Sequence, residues 1–246
     1  MENKTLPTWL SVDLGLTPYP EAWDLQLRLV EASTQGSLVQ DVILVVEHLP
    51  VFTLGKRGGR ENLLVSEDYL SKAGIPIVQI ERGGNITYHG PGQLVVYPII
   101  HLPTIGLGVV DLVDRLEEVM IRTCRVFGVQ AKRNTLNRGA WVAMKKIGSI
   151  GIAVRRGVSF HGLALNVNPD LTPFAWIQPC GLQGIGVTSL QAESRGSIQI
   201  ADVKPVLQRN VEAVFQTQLK TISREDLFAL LGSSQIPPVP LFVKRG

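Results

Sequence analysis

Cys180 stands between Pro179 and Gly181, outside any periodic run of apolar residues. Such a setting suits a turn that presents sulfur to a cleft. A thiol of ordinary pKa, about 8.5, is only slightly ionised at neutral pH, so a nucleophilic cysteine needs a cation, a base or a helix N-terminus beside it. The alternative is a cysteine that only fills space, and the residue alone leaves both readings open. The run Arg82-Gly83-Gly84-Asn85-Ile86-Thr87-Tyr88-His89-Gly90-Pro91-Gly92-Gln93 packs four glycines beside a strand. Glycine opens backbone conformations closed to other residues and lets the main chain approach a ligand. Neither a Walker pattern nor a dinucleotide fingerprint fits, because the run leads into Leu94-Val95-Val96-Tyr97 and not into a helix. It reads either as a loop lining a pocket, with Arg82, Tyr88 and His89 as polar wall, or as a tight turn whose polar residues satisfy one another.

Two further segments break the pattern of a sequence that only folds. Lys145-Lys146-Ile147-Gly148-Ser149-Ile150-Gly151 continues through a strand to His161-Gly162-Leu163-Ala164-Leu165-Asn166, and Glu47-His48-Leu49-Pro50 precedes Val51-Phe52-Thr53-Leu54-Gly55. Alternation puts His161 on one face with Leu163, Leu165 and Val167, the setting of a satisfied core histidine. It puts Phe160, Gly162, Ala164 and Asn166 on the other face, where small residues leave room for a ligand.

The elements that must position these residues are mixed α and β. A helix is expected from Pro20 toward Ala32 and a central strand over Asp41–Glu47. Further strands are expected over Pro76–Ile80 and Gln93–Ile99. From Val109 to Phe127 apolar residues recur at helical spacing, Gly128 stands at the C-terminal cap position, and Cys124 lies on the stripe as a core thiol. Strands follow over 140–144, 147–154 and 159–167, with Arg155-Arg156-Gly157 turning between the last two. Helices are expected over Asp202–Phe215, with Pro205 in the first turn, and over Glu225–Leu231. The length of 246 residues and the lack of a long linker fit a single domain over 1–246, with a Pro-rich tail from about 233.

Hydrophobic residues at 45% and charged residues at 18% describe a core-rich globular chain. A net charge of +3, without a basic run interleaved with aromatics, argues against nucleic acid. No apolar run reaches the length of a membrane span and the N-terminus has no apolar leader, so a soluble cytoplasmic protein is expected. The two cysteines are too few for a disulfide framework and have no metal-ligand spacing, so neither metal nor other cofactor is expected.

Taken together, these segments resemble the lipoyl(octanoyl) transferase family. The resemblance runs from about Glu47 to Leu190, roughly three-fifths of the chain, and rests on Arg-Gly-Gly-x-x-Thr-Tyr-His-Gly-Pro-Gly-Gln and on Lys-Ile-x-x-x-Gly paired with a later Pro-Cys-Gly. It implies the biotin/lipoate protein ligase fold, a mixed β-sheet flanked by helices. It implies transfer of an octanoyl group from octanoyl-acyl carrier protein to a lysine of a lipoyl domain, through a thioester on Cys180 with Lys146 as its partner. Acceptors of that kind are the lipoyl domains of 2-oxoacid dehydrogenase E2 subunits and the glycine cleavage H protein. Strand alternation supports choosing one of the adjacent lysines, since Lys145 and Lys146 face opposite sides. Substrate-binding positions are implied at Arg82, Gly83, Gly84, Asn85, Ile86, Thr87, Tyr88 and His89, at Ser149, Ile150 and Gly151, and at Gly162, Leu163 and Ala164. Because the protein substrates of the family tend to be acidic, Lys56, Arg57, Arg60, Arg155 and Arg156 are expected to steer docking. An ATP-dependent ligase would need no nucleophilic cysteine, and a non-catalytic binder would have no use for Cys180 or Lys146.

Overall fold

A computed structural model describes residues 6–178 and 186–232. Pro179-Cys180-Gly181 and the Pro-rich tail from 233 lie outside the described residues.

The main sheet takes β1 (Thr8–Thr17), β2 (Val42–His48), β6 (Gln93–Ile99), β7 (Ala140–Val142), β8 (Lys145–Arg155), β9 (Val158–Asn166), β10 (Gly186–Val187) and β11 (Gln218–Thr221). Its order is β10-β8-β9-β6-β2-β1-β11, with β7 also on β8. The centre, β8-β9-β6-β2, is antiparallel, while β1 runs parallel to both β2 and β11. A smaller sheet, β4 (Ile77–Gln79), β3 (Val51–Leu54) and β5 (Ile86–His89), has β3 in the middle.

Besides the short α2 (Glu67–Lys72) and α4 (Leu190–Glu193), longer helices cover both faces of the main sheet, which explains the unbroken apolar run of β2. Ile43 and Val45 join the core beneath α3 (Val109–Val126) and α5 (Ile200–Phe215). Val42, Leu44 and Val46 join the core beneath α1 (Tyr19–Gln35) and α6 (Arg224–Leu230). Cys124 is fully buried in the first of these cores. Gly128 takes a left-handed φ of 76° just past α3, as its capping position requires.

Several expectations are corrected. Ile86–His89 is a strand, β5, paired antiparallel with β3, and not a loop. Helix α5 begins at Ile200, so Pro205 falls in its second turn and leaves a carbonyl without its helical donor. Strands β1 and β11 were not anticipated: β1 has buried residues from Trp9 through Val12 and so lacks a clean alternation, and β11 is a mostly exposed edge whose partner is remote in sequence.

Two irregularities govern which side chains share a face. On β8, Lys146 pairs with Trp141 and Gly148 with Ala140, so Ile147 is one residue too many and forms a bulge. Ile147 is buried in the α3–α5 core, and a Cβ on Gly148 would meet Met120 of α3. Lys146 is thereby turned to the opposite face. On β9, His161 has φ 56° while its neighbours are extended. Leu163, Leu165 and Val167 pack on the α3–α5 side, whereas His161 meets Tyr19 of α1 and lies 4.8 Å, ring to ring, from Phe160. The left-handed backbone has flipped His161 out of the alternation expected of it, and the Gln26 side chain of α1 holds it there by accepting the His161 N–H at 2.7 Å.

Candidate active site

A cavity of about 90 Å³ lies between the main sheet and the smaller one. Its floor is a row of small and apolar residues in register across three strands: Ser149 on β8, Ala164 on β9 and Val95 on β6. Its roof is β5, through Ile86, Thr87 and His89, with the turn Arg82–Asn85. The turn is tied down to β8, because Gly83 N–H donates to the Ile152 carbonyl at 3.0 Å. Arg82 lies directly over Gly151, where a Cβ would come within 2.8 Å of its Cδ. The Arg82 guanidinium is buried and donates to the Thr53 carbonyl at 2.7 Å and to Thr53 Oγ1 at 2.9 Å. It braces the two sheets as well as walling the cavity.

Lys146 stands at one end of the cavity with Asn137 and Val187. Its Nζ lies 5.3 Å from the Trp141 ring centroid, a cation–π distance. Gly139, at φ 130°, makes room for it: a Cβ there would come within 2.9 Å of Lys146 Cε. Lys145 points away and pairs with Glu193 at 3.6 Å. The strand entering this end after residues 179–185 is fixed at several points. Gly186 and Val187 pair with Lys145 and Lys146, Thr188 N–H donates to the Lys146 carbonyl at 3.0 Å, and the Asn166 side chain donates to the Thr188 carbonyl at 3.0 Å. On its near side, Gln178 N–H donates to the Asn62 carbonyl at 2.9 Å. In sequence Cys180 falls between Gln178 and Gly186, outside the described residues.

The opposite end is closed by rings. Tyr97 donates its hydroxyl proton to His48 Nε2 at 2.7 Å, since His48 Nδ1–H is engaged with the Thr17 carbonyl at 2.9 Å. His89 Nδ1 donates to Gln93 Oε1 at 2.6 Å, and Gln93 in turn donates to Asn166 Oδ1 at 2.9 Å. Burial pulls the His48 imidazole down to about 4, and burial with the neighbouring His48 pulls His89 down to about 3, so both are neutral at physiological pH. Burial also lowers His161, against the opposing pull of Glu81. In the core beneath the sheet, burial pushes the Cys124 thiol up to about 12, which leaves it inert as a nucleophile.

Most residues singled out from sequence come together here: Arg82, Gly84, Asn85, Thr87 and His89 above, Lys146, Ser149, Ile150 and Gly151 on β8, and Gly162, Leu163 and Ala164 on β9. Gly83 serves the backbone link to β8 and does not line the cavity. Tyr88 is on the reverse face of β5, packed against Phe52 and Phe174, and forms no part of the wall. Gly162 is small for a backbone reason, because a Cβ would collide with the Val96 carbonyl. Tyr19, Tyr97, Asn137 and Asn166 also line the cavity and were missed. Only Asn166, polar in an apolar strand, carried a local signal. Among the described residues there is no group of three or more His, Cys, Asp or Glu side chains placed to hold a metal ion, and no helix is long and apolar enough to cross a membrane.

Comparison with known proteins agrees with this architecture. Residues 18–212 match the lipoyl protein ligase A/B catalytic domain. An octanoyltransferase of Desulfotalea psychrophila is 51% identical over 206 residues, 83% of this chain and 92% of that protein. An octanoyltransferase of Syntrophobacter fumaroxidans is 42% identical over 220 residues, 89% of this chain and 96% of that one. Among solved structures, lipoate-protein ligase A bound with ATP superposes with a TM-score of 0.69 at 18% identity, covering 93% of each chain. A bipartite lipoate protein ligase of Thermoplasma acidophilum, solved in a study that includes its E2 lipoyl domain, gives 0.70 at 18% identity, covering 92% of this chain and 91% of that one. These structures share the expected fold, a mixed sheet flanked by helices. Family model and relatives together show that the chain belongs to the lipoyl protein ligase A/B catalytic-domain family and, within it, to the octanoyltransferases, which are acyltransferases.

Proposed function

We propose that the chain moves an octanoyl group from octanoyl-acyl carrier protein to a lysine of a lipoyl domain through a thioester on Cys180, with Lys146 as the proton carrier. The acceptors are lipoyl domains of 2-oxoacid dehydrogenase E2 subunits and the glycine cleavage H protein. The observation that carries this reading is that Lys146, and not Lys145, lines the cavity, at the end where the connection containing Cys180 rejoins the sheet. An ammonium beside the sulfur favours the thiolate, and each pKa unit of depression corresponds to about 1.4 kcal/mol.

The Cys180 thiolate attacks the carbonyl carbon of the donor thioester, and the bond from that carbon to the carrier sulfur breaks. Lys146 gives its proton to the departing thiolate and becomes neutral. The amine of the acceptor lysine then attacks the Cys180 thioester. As the amide forms, its excess proton passes to Lys146 and Cys180 leaves as thiolate, which restores the resting pair. Thioester exchange is nearly isoenergetic and needs positioning above all, and amide formation is downhill, so no ATP enters.

The test is incubation with octanoyl carrier protein and an apo lipoyl domain in the absence of ATP. An octanoylated acceptor lysine, with one octanoyl group on Cys180 when the acceptor is left out, is the expected result. Transfer that requires ATP would overturn the proposal.

A further inference from the structure

We infer that His161 is the length stop of the acyl pocket, its ring held at the end remote from Lys146 by a left-handed backbone. The inference rests on the acyl-transfer reading above and names the residue that sets its chain-length specificity. Three observations carry it.

The cavity has a direction. Lys146 lies near the start of β8, and the floor row Ser149–Ala164–Val95 leads from β8 across β9 to β6. Tyr97 and His161 lie beyond that row, the one further along β6 and the other back along β9, where His161 is opposite Ile152. A chain with its carbonyl near Lys146 and its tail on this floor runs toward them.

The ring hydroxyls at that end are already engaged with neighbouring rings. The Tyr97 hydroxyl goes to His48 and the Tyr19 hydroxyl meets His161 Nδ1 at 3.4 Å. His161 Nε2 faces Glu81 Oε2 at 3.5 Å, an ion-pair distance without hydrogen-bond alignment. With both hydroxyls engaged and His161 Nε2 turned to Glu81, the apolar ring surface is left to meet a methyl terminus.

His161 also holds a conformation that a non-glycine residue in a strand avoids, φ 56°, and is 1% exposed. Strain of this kind persists only where surroundings enforce it, and it gathers at functional sites. Gln26, itself fully buried, enforces it through the His161 N–H. With ordinary strand geometry the ring would turn into the α3–α5 core and the pocket would lengthen.

The test uses carrier-protein thioesters of eight, ten and twelve carbons. Glycine accepts the left-handed backbone without cost and asparagine tolerates it, so His161→Gly and His161→Asn remove or shorten the ring with little backbone penalty. The expected result is a rise of at least about tenfold in the dodecanoyl-to-octanoyl ratio of kcat/KM for His161→Gly, each buried methylene being worth about 0.8 kcal/mol, with a smaller rise for His161→Asn. Folded variants that keep the wild-type ratio would overturn the inference. A second measurement needs no variant and no turnover. Octanoic acid carrying a diazirine near its methyl end should label the peptide containing His161 or Tyr97 in the wild-type protein. Label confined to Lys146 and Asn137 would overturn the inference, whereas label at His161 in a protein that transfers no acyl group would refute the transfer reading and leave the length stop standing.

Discussion

Lys146 and Trp141 face each other across the β7–β8 pair, with the ammonium 5.3 Å from the indole centroid, and Ile147 bulges out beside them. The bulge decides which face the lysine takes. In a regular strand Lys146 would share a face with Gly148 and point toward Met120 in the α3–α5 core. The extra residue turns it to the cavity face occupied by Ser149 and Gly151.

Lys146→Ala should therefore lower turnover by about 10²- to 10⁴-fold, the range of a lost general acid and base. It should also raise the pH at which Cys180 reacts with an alkylating probe. Lys145→Ala removes only a largely exposed pair with Glu193 and should change turnover little. Equal losses in a steady-state assay of both variants would show that the bulge does not separate their roles.

The two cysteines should respond differently to replacement. Cys180→Ala should abolish transfer and acyl-enzyme formation, read by intact mass. Cys124→Ala should leave turnover near wild type and lower stability by about 1–2 kcal/mol, as a small cavity opens in the α3–α5 core. Octanoylation surviving in Cys180→Ala would end the thioester mechanism.

Gly139→Ala tests the room around Lys146. An alanine there is strained at φ 130° and brings its Cβ against the Gly148 carbonyl and Lys146 Cε. Turnover and melting temperature should both fall, with a KM for carrier protein that changes less than kcat. Wild-type kinetics in this variant would show that β7 does not fix the lysine.

Acid stability should follow the buried imidazoles. His48 and His89 fold with values of about 4 and 3, below the ordinary 6.5, so the unfolded chain binds more protons between those limits. Their contribution is complete above about pH 6.5 and is lost as pH falls through the folded values, at roughly 3 kcal/mol or more for His48 alone. Urea melts from pH 7.5 to pH 4.5 should show this decline, and His48→Gln should make it shallower. A pH-independent midpoint would contradict the neutral assignment.

Docking of acidic protein substrates should depend on salt, but not equally on each basic residue. Arg60 pairs with Glu67 at 2.6 Å and Arg155 with Glu81 at 3.2 Å, while Arg156 reaches Glu31 at 4.0 Å. Lys56 and Arg57 are exposed and have no ion pair among the described residues. Reversing both to Glu should slow transfer from carrier protein, with a smaller effect at high salt, and should spare a small octanoyl thioester. A small donor slowed to the same degree would assign them to the pocket.

The α/β class, the central strands β2 and β6, helix α3 with its buried Cys124, and the glycine run beside β6 are legible in the order of residues alone. These follow from local rules, namely the spacing of apolar residues and the backbone freedom of glycine, which need no knowledge of distant partners. The motif resemblance points to Lys146, and Lys146 lines the cavity, but strand parity alone does not say which face it takes. Strand pairing settles the face, because a bulge is set by the register of a partner strand, and β7 supplies it. His161 is the sharper case: parity sends it into the α3–α5 core, and the hydrogen bond its N–H donates to Gln26 Oε1, 135 residues earlier, holds it in the cavity instead. Tyr19 and Tyr97 escaped notice for the same reason, since a helix start and a buried strand become pocket walls only when α1 packs across the sheet. Local periodicity fixes which residues are buried, whereas pairing register and long-range hydrogen bonds fix which way each one points.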